Sequence, residues 1–286
     1  MIISALCSAF GFTRQAYYKL CKNRRKEDQQ NQQVLQLVRH VRKRQPRLGS
    51  VKLHSKLSED MQRKGIKIGR DKFHRLLREQ GMLVSKKKRF TTTTDSYHKY
   101  RKWPNLLMDM KLTAPEQAWV SDITYIHTKE GYMYLFLVTD AYSKQIMGYH
   151  LSDNMKVENA WFALKMAIDN RRYPDRKLIH HSDRGIQYAH PSYIDLQLAY
   201  GITPSMTTKY DPYENAVAER VNGILKTEFE LGGLFLERAL AKREVKTAIQ
   251  IYNYERPHLS CQMMTPWKAH QTGKYELKRW SKNFSS

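Results

Sequence analysis

The sequence predicts an α/β core, a mixed five-stranded sheet with flanking helices, preceded by an all-α, strongly basic region. From about residue 117, short β-branched and aromatic runs first follow one another across turn signals and then alternate with helical periodicity, as in a meander leading into crossovers. Before residue 85, by contrast, apolar residues recur at helical spacing. Charge divides the chain in the same way. Of a formal net charge of +23, residues 1–100 carry 25 Lys+Arg against 7 Asp+Glu, which leaves +5 for the remainder. The first half is suited to a polyanion and the second to acting on it.

At 286 residues, two or three units are expected. Residues 1–30 form a helix-turn-helix-like segment, with two short helices around Gly11 and Thr13 placed to cap the second. A plain helical hairpin with a basic face fits this stretch equally well. Residues 31–84 form a helical module. Its first helix sets Val34, Leu37, Val38 and Val41 against Arg39, Arg42, Lys43 and Arg44, and Pro46 and Gly49 end it. A second runs through Val51, Leu53, His54 and Leu57 to Gly65. The third turns Phe73, Leu76 and Leu77 inward and Lys72, Arg75 and Arg78 outward. A solvated face would look similar, but the one-sign excess favours DNA, with Arg70, Lys72, Arg75 and Arg78 as contacts. Lys86, Lys87, Lys88 and Arg89 extend this set into a basic linker, 85–116.

The core, 117–270, is read as strands near 118–126, 132–139 and 145–151, a helix at 155–170 and a strand at 177–182. A helix at 191–200, a strand at 202–206 and helices at 212–230 and 237–254 follow, and 271–286 is a basic tail. At the start of the 212–230 helix Asp211 can cap, Pro212 suits the first helical position, and Glu214 falls three residues after the cap. Val217, Val221, Ile224 and Leu225 make its packing face, and Asn215, Glu219, Asn222 and Lys226 the opposite stripe. Taken alone, that stripe reads as solvated surface.

Two further acids change the reading. Asp122 stands mid-strand in Ala118-Trp-Val-Ser-Asp-Ile-Thr-Tyr-Ile126, and Asp183 ends a strand in Leu178-Ile-His-His-Ser-Asp-Arg-Gly-Ile-Gln-Tyr188. Thirty-five residues separate Asp183 from Glu219. The blocks Trp119-x-x-Asp122-Ile-Thr-Tyr, His181-Ser-Asp183-x-Gly-x-Gln-Tyr, Asn215-Ala-x-x-Glu219, Leu225-Lys-Thr-Glu and Tyr252-Asn-x-x-Arg-Pro-His258 follow in order. Over about residues 33–270 the sequence thus resembles the second-reading-frame (OrfB-type) transposases of bacterial insertion sequences, which have a retroviral-integrase-like DDE core.

The resemblance implies a ribonuclease-H-like fold, with Asp122, Asp183 and Glu219 as catalytic and metal-binding residues. It implies Mg-dependent strand cleavage and strand transfer, Lys226 at the terminal DNA, and supporting roles for Asn215, Arg256 and His258; capping and packing suit the last two as well. The expected partners are double-stranded DNA (terminal inverted repeats and target), further copies of the chain assembled on that DNA, and the product of an upstream frame.

Converging carboxylates repel one another unless cations join them. Hard oxygen ligands select Mg²⁺, with Mn²⁺ as a substitute. Asp122 is expected to bridge two ions, with Asp183 and Glu219 holding one each. His180 and His181 are expected to pack and hydrogen-bond, since imidazole suits softer metals. Of the rival acids, Glu214 is read as a capping residue and Glu228 falls on the apolar side of its helix. Cys7, Cys21 and Cys261 show neither metal nor disulfide spacing, so no zinc and a reducing compartment are expected. With no bilayer-length apolar run, and an opening too short and without the basic start of a signal peptide, the expected location is cytoplasmic, on the nucleoid and away from membranes. A nuclease of the same fold without joining stays open as an alternative, as does a non-catalytic DNA-binding regulator, against which the retention of all three acids argues.

Overall fold

The computed structural model describes residues 2–85, 99–108, 110–208, 215–273 and 275. Lys86, Lys87, Lys88, Arg89, Asp211, Pro212, Glu214 and most of the 271–286 tail therefore lie outside the described residues. The chain divides into two compact units, Met1–Arg44 with Leu48–Val84 and Gln45–Arg47 with Ser85–Ser286. No helix among the described residues is long and apolar enough to cross a membrane.

The first unit consists of α1 (Ile2–Ala9), α2 (Arg14–Arg44), α3 (Ser50–Arg63) and α4 (Arg70–Glu79). Between α1 and α2 the chain turns at Gly11, whose φ of +70° disfavours any side chain. Thr13 Oγ1 then accepts the Ala16 N–H at 3.1 Å, as a capping threonine does. The sequence reading ends this helix near residue 21 and sets a boundary at residue 30, whereas α2 continues unbroken for 31 residues. The reason is local: the stretch has no Gly or Pro and is rich in Lys, Arg and Gln, all good helix formers. The C-terminal half of α2 packs. Val34, Leu35 and Val38 join Leu53, Leu57, Met61, Phe73, Leu76 and Leu77 in one core.

The second unit runs β1 (Ala118–Thr128), β2 (Gly131–Asp140), β3 (Ile146–Ser152), α5 (Val157–Asp169), β4 (Leu178–Ser182), α6 (Ile186–Ala189), α7 (Pro191–Ala199), β5 (Ile202–Met206), α8 (Ala216–Glu228), β6 (Leu234–Phe235), α9 (Arg238–Tyr254) and α10 (Pro266–Thr272). The sheet order is β3-β2-β1-β4-β5. The first three strands form the antiparallel meander, and β4 and β5 join in parallel. This is the ribonuclease-H-like mixed sheet, with one addition. The two-residue β6 pairs with the end of β1, too short a strand to leave a periodic signal.

Each face of the sheet carries its own core. On one, Trp119, Phe136, Val138 and Met147 meet Ala160, Ala163, Leu164 and Ala167 of α5. Gly148 permits this approach, because a Cβ there would collide with the backbone of Ala163 and Ala167. On the other, Ile126, Met133, Leu135 and Leu137 meet Val221, Ile224 and Leu225 of α8 and Ala241, Val245 and Tyr252 of α9. The α9 side also holds a buried ion pair, in which Arg256 Nε and Nη2 each donate at 2.8 Å to Glu228.

Residues 99–108, assigned from sequence to the linker, lie along β5. Pro104 O accepts the Met206 N–H at 3.3 Å, and Ser205 Oγ accepts the Leu106 N–H at 2.9 Å. Tyr100 and Trp103 pack on Ala189, Ile194 and Met206.

Candidate active site

The parallel pairing of β1 with β4 sets Ser121 beside Ser182. Asp122 is the next residue of β1 and Asp183 the first residue past β4, which explains how acids far apart in sequence come near one another. Asp183 leaves β4 through a turn in which its Oδ1 accepts the Gly185 N–H at 3.0 Å. Glu219 lies in the first turn of α8. Val221, Ile224 and Leu225 seat that helix on the sheet, which leaves the Asn215–Glu219–Asn222–Lys226 stripe to line the site.

The electrostatics of Asp122 tie the three acids together. Its carboxyl is pushed up to about 7, first by burial and then by Asp183, with a smaller push from Glu219, against the lowering effect of hydrogen bonds from Asn222 and the Ile123 N–H. Those bonds are 2.7 Å from Asn222 Nδ2 to Oδ2 and 2.9 Å from Ile123 N to Oδ1. Lys226 is half-buried; burial lowers its ammonium, and Asp122 acts in the opposite direction. Among the described residues, no three or more His, Cys, Asp or Glu side chains stand together closely enough to hold a metal.

The donor chemistry fits a hard divalent cation. Asp122, Asp183 and Glu219 offer only oxygens, and the rise at Asp122 marks a place where added positive charge would be welcome. The amide oxygens of Asn215 and Asn222 are buried and have no hydrogen-bond partner among the described residues. Neighbouring imidazoles are engaged elsewhere. His180 Nε2 lies 2.7 Å from Ser121 Oγ and 3.2 Å from Tyr193 OH, and burial pushes its ring down to about 3, keeping it neutral. His181 Nδ1 is 2.9 Å from Ser205 Oγ.

The other candidates divide. Asn215 is tied to β1, its Nδ2 donating to Ser121 O at 3.1 Å. Arg256 is 1% exposed and committed to Glu228, which places it in the packing around α9. His258 Nδ1 lies 2.8 Å from Ser260 Oγ, and its ring meets Tyr252 edge-on. On α4, Arg70 has Asp71 at 3.4 Å, Arg75 has Glu79 at 4.0 Å, and Arg78 approaches His74 at 3.3 Å. Lys72 is turned toward Glu27 of α2 at 2.6 Å.

The residue to which the sequence reading gave no role is Asn222. Its signal was available, an amide three residues after Glu219 on the same helical face, but its partner Asp122 lies 100 positions away.

Residues 113–212 match a family model described as Integrase core domain, and residues 200–266 match a second of the same description. The chain is 36% identical over 258 residues to "Insertion element IS600 uncharacterized 31 kDa protein" of Shigella sonnei, covering 88% of this chain and 93% of that protein. It is 30% identical over 271 residues to "Transposase InsF for insertion sequence IS3A" of Escherichia coli (strain K12), covering 92% of each. Among solved structures, it is similar to the HTLV-2 integrase catalytic core domain in complex with magnesium, at 18% identity and a TM-score of 0.44, covering 55% of this chain and 97% of that one. It is also similar to a chain of the simian T-cell lymphotropic virus intasome in complex with PP2A regulatory subunit B56 gamma, at 18% identity and a TM-score of 0.49, covering 83% of this chain and 80% of that one.

Proposed function

Because the chain belongs to the insertion-sequence transposases with an integrase core, we propose that it is a DDE polynucleotidyl transferase that binds the ends of its own insertion sequence and cleaves and joins DNA strands. The observation that supports this reading is the β1–β4 pairing, which carries Asp122 and Asp183 one step past the paired Ser121 and Ser182, with α8 tied to Asp122 by the Asn222 hydrogen bond. Carboxylates from β1, the end of β4 and α8 share one electrostatic site, and burial makes their mutual repulsion costly unless cations enter.

Bound Mg²⁺, or Mn²⁺ in its place, would activate the attacking oxygen and stabilise the departing one. Asp122, Asp183 and Glu219 would hold the ions, with Asp122, which feels both other acids, as the ligand they would have in common. Lys226, on the stripe of Glu219, holds a phosphate of the terminal DNA. When water attacks, a new P–O bond forms, the bond to the 3′ oxygen breaks, and that oxygen leaves as a free 3′-hydroxyl. When the hydroxyl itself attacks a target phosphodiester, the same exchange joins the strands. Arg70, Arg75 and Arg78, with Lys72 to a lesser degree, supply phosphate contacts from α4. The partners are duplex DNA carrying the terminal inverted repeats, target duplex, further copies of this chain on that DNA and the upstream-frame product. The proposed location is the nucleoid, and zinc has no part in it.

The test is incubation of the full chain with labelled terminal-repeat duplexes in Mg²⁺. Both nicked and joined products are expected, and Ca²⁺ should support assembly better than chemistry. Asp183→Asn and Glu219→Gln should lose both products yet keep duplex binding. Cleavage that persists in EDTA, or in either variant prepared free of contaminating nuclease, would overturn the assignment. Nicking without any joining would reduce the protein to a nuclease.

A further inference from the structure

We propose that Asn215 and Asn222 are positioning residues, a two-point clamp that fixes α8 on β1 so that Glu219 faces Asp122, with their free amide oxygens turned to accept hydrogen bonds from water carried by a bound divalent cation. The inference rests on the carboxylate reading above and extends it to two side chains that reading does not require.

Asn215 stands at the N-cap position of α8 and Asn222 seven residues later within it, and Glu219 lies between them, four residues after the first and three before the second. Both reach the same step of β1. Asn215 Nδ2 donates to the Ser121 carbonyl at 3.1 Å, and Asn222 Nδ2 donates to Asp122 Oδ2 at 2.7 Å. A helix held at two points by adjacent residues of one strand cannot rotate or slide without breaking a bond. The carboxylate between those points inherits that precision, which metal-site geometry demands.

The orientation of each amide follows from its partner. A carbonyl and a carboxylate accept only, so the NH₂ end must face β1 and the oxygen must face away. Both residues are 6% exposed, and both Oδ1 atoms lack a hydrogen-bond partner among the described residues. Burying an amide oxygen with no donor is costly, and buried polar groups are as a rule satisfied. Two such acceptors flanking one carboxylate call for an occupant bearing donors. A hydrated Mg²⁺ or Mn²⁺ brings O–H donors to that place, because such an ion keeps several of its waters when carboxylates bind it.

The experiment uses the full chain, with Mn²⁺ alone as the probe. Mn²⁺ affinity is measured by titration, and the melting temperature is recorded in EDTA and in saturating Mn²⁺. Asn222→Ala is expected to weaken Mn²⁺ binding by about 10- to 100-fold, the range for groups that orient metal ligands. It should also shrink the Mn²⁺-induced rise in melting temperature, with duplex binding unchanged. Asn215→Ala should act in the same direction. A purely structural role would instead lower the melting temperature equally with and without Mn²⁺. If Asn222→Ala fails to fold, Asn222→Gln, which keeps the amide but displaces it by one methylene, is read by the same measurement. Affinity and Mn²⁺ response within twofold of the parent in both asparagine variants would overturn the clamp. Asp122→Asn separates the two claims. Loss of Mn²⁺ binding in that variant alone would sink the clamp and leave the carboxylate reading standing, whereas parental Mn²⁺ binding in Asp122→Asn would sink the carboxylate reading itself.

Discussion

Glu228→Ala is expected to destabilise the catalytic unit substantially without removing any metal ligand. In the parent, Arg256 is almost wholly buried and donates twice at 2.8 Å to the Glu228 carboxylate, whose side chain is 17% exposed. Deleting the acid leaves a guanidinium in the protein interior with its charge uncompensated, a loss of about 3–5 kcal/mol when one partner of a buried pair is removed. The water that reaches Glu228 places the expected cost near the lower figure, about 3 kcal/mol, still a large share of the roughly 5–15 kcal/mol that holds a domain folded. For a unit of this size, that corresponds to a fall of about 6–12 °C in melting temperature. Replacing both partners, as in Arg256→Met with Glu228→Leu, should recover much of the loss, because neither charge is then stranded. Urea unfolding followed by tryptophan fluorescence isolates the right unit, since the described tryptophans, Trp103, Trp119, Trp161 and Trp267, belong to it and residues 1–84 contain none. A loss below about 1 kcal/mol, the level of an exposed pair, would refute the reasoning. The same variant, scored per folded molecule, should still nick DNA, which separates Glu228 from the three proposed ligands.

Gly148→Ala should prevent correct docking of α5 and yield insoluble protein, whereas Gly223→Ala, where a Cβ would meet nothing within 4 Å, should gain up to about 1 kcal/mol in urea titrations. Folding raises Asp122 to about 7, so the native state binds its proton more tightly than the unfolded chain does. In EDTA, this contribution to stability should therefore decline as pH rises from the ordinary carboxylate range through about 7 and then level off. Asp122→Asn should remove that decline and melt higher than the parent at pH 8, and parallel melting curves across this range would contradict the assignment. On α4, Arg75→Ala and Arg78→Ala should each weaken duplex binding and reduce its log–log salt slope by about one. Lys72→Ala should do less, because its ammonium already faces Glu27.

The strands and the crossover were legible because each left a local trace, such as the alternation in 118–126 and the apolar-to-polar switch at the end of β4, whereas the three acids were singled out by the resemblance of the blocks around them, the stripe through Glu219 reading by itself as solvated surface. The Thr13 cap was legible for the same reason, being written within three residues. What was not legible depends on contacts between distant positions. Asn222 becomes meaningful only beside Asp122, and Arg256 only beside Glu228. Lys72 reads as an outward cation until α2 brings Glu27 to it, and α2 does so because it continues past residue 21, where the sequence reading ended the helix. A dipeptide strand such as β6 has no period to detect.

The run from Tyr100 to Leu107 determines where the second unit can safely be cut. A fragment begun at residue 117, where strand patterning starts, would strip Pro104 from the Met206 amide and Leu106 from Ser205. It would leave the Met206 N–H of the outer strand without its partner, next to an apolar patch at Ala189, Ile194 and Met206 that Tyr100 and Trp103 now cover. Such an edge is a template for another chain, and the fragment would pair with its own copies and aggregate. A version of this unit begun ahead of Tyr100 is expected to stay monodisperse, so a failed preparation from residue 117 would report on a missing cover over β5 and not on a defective core.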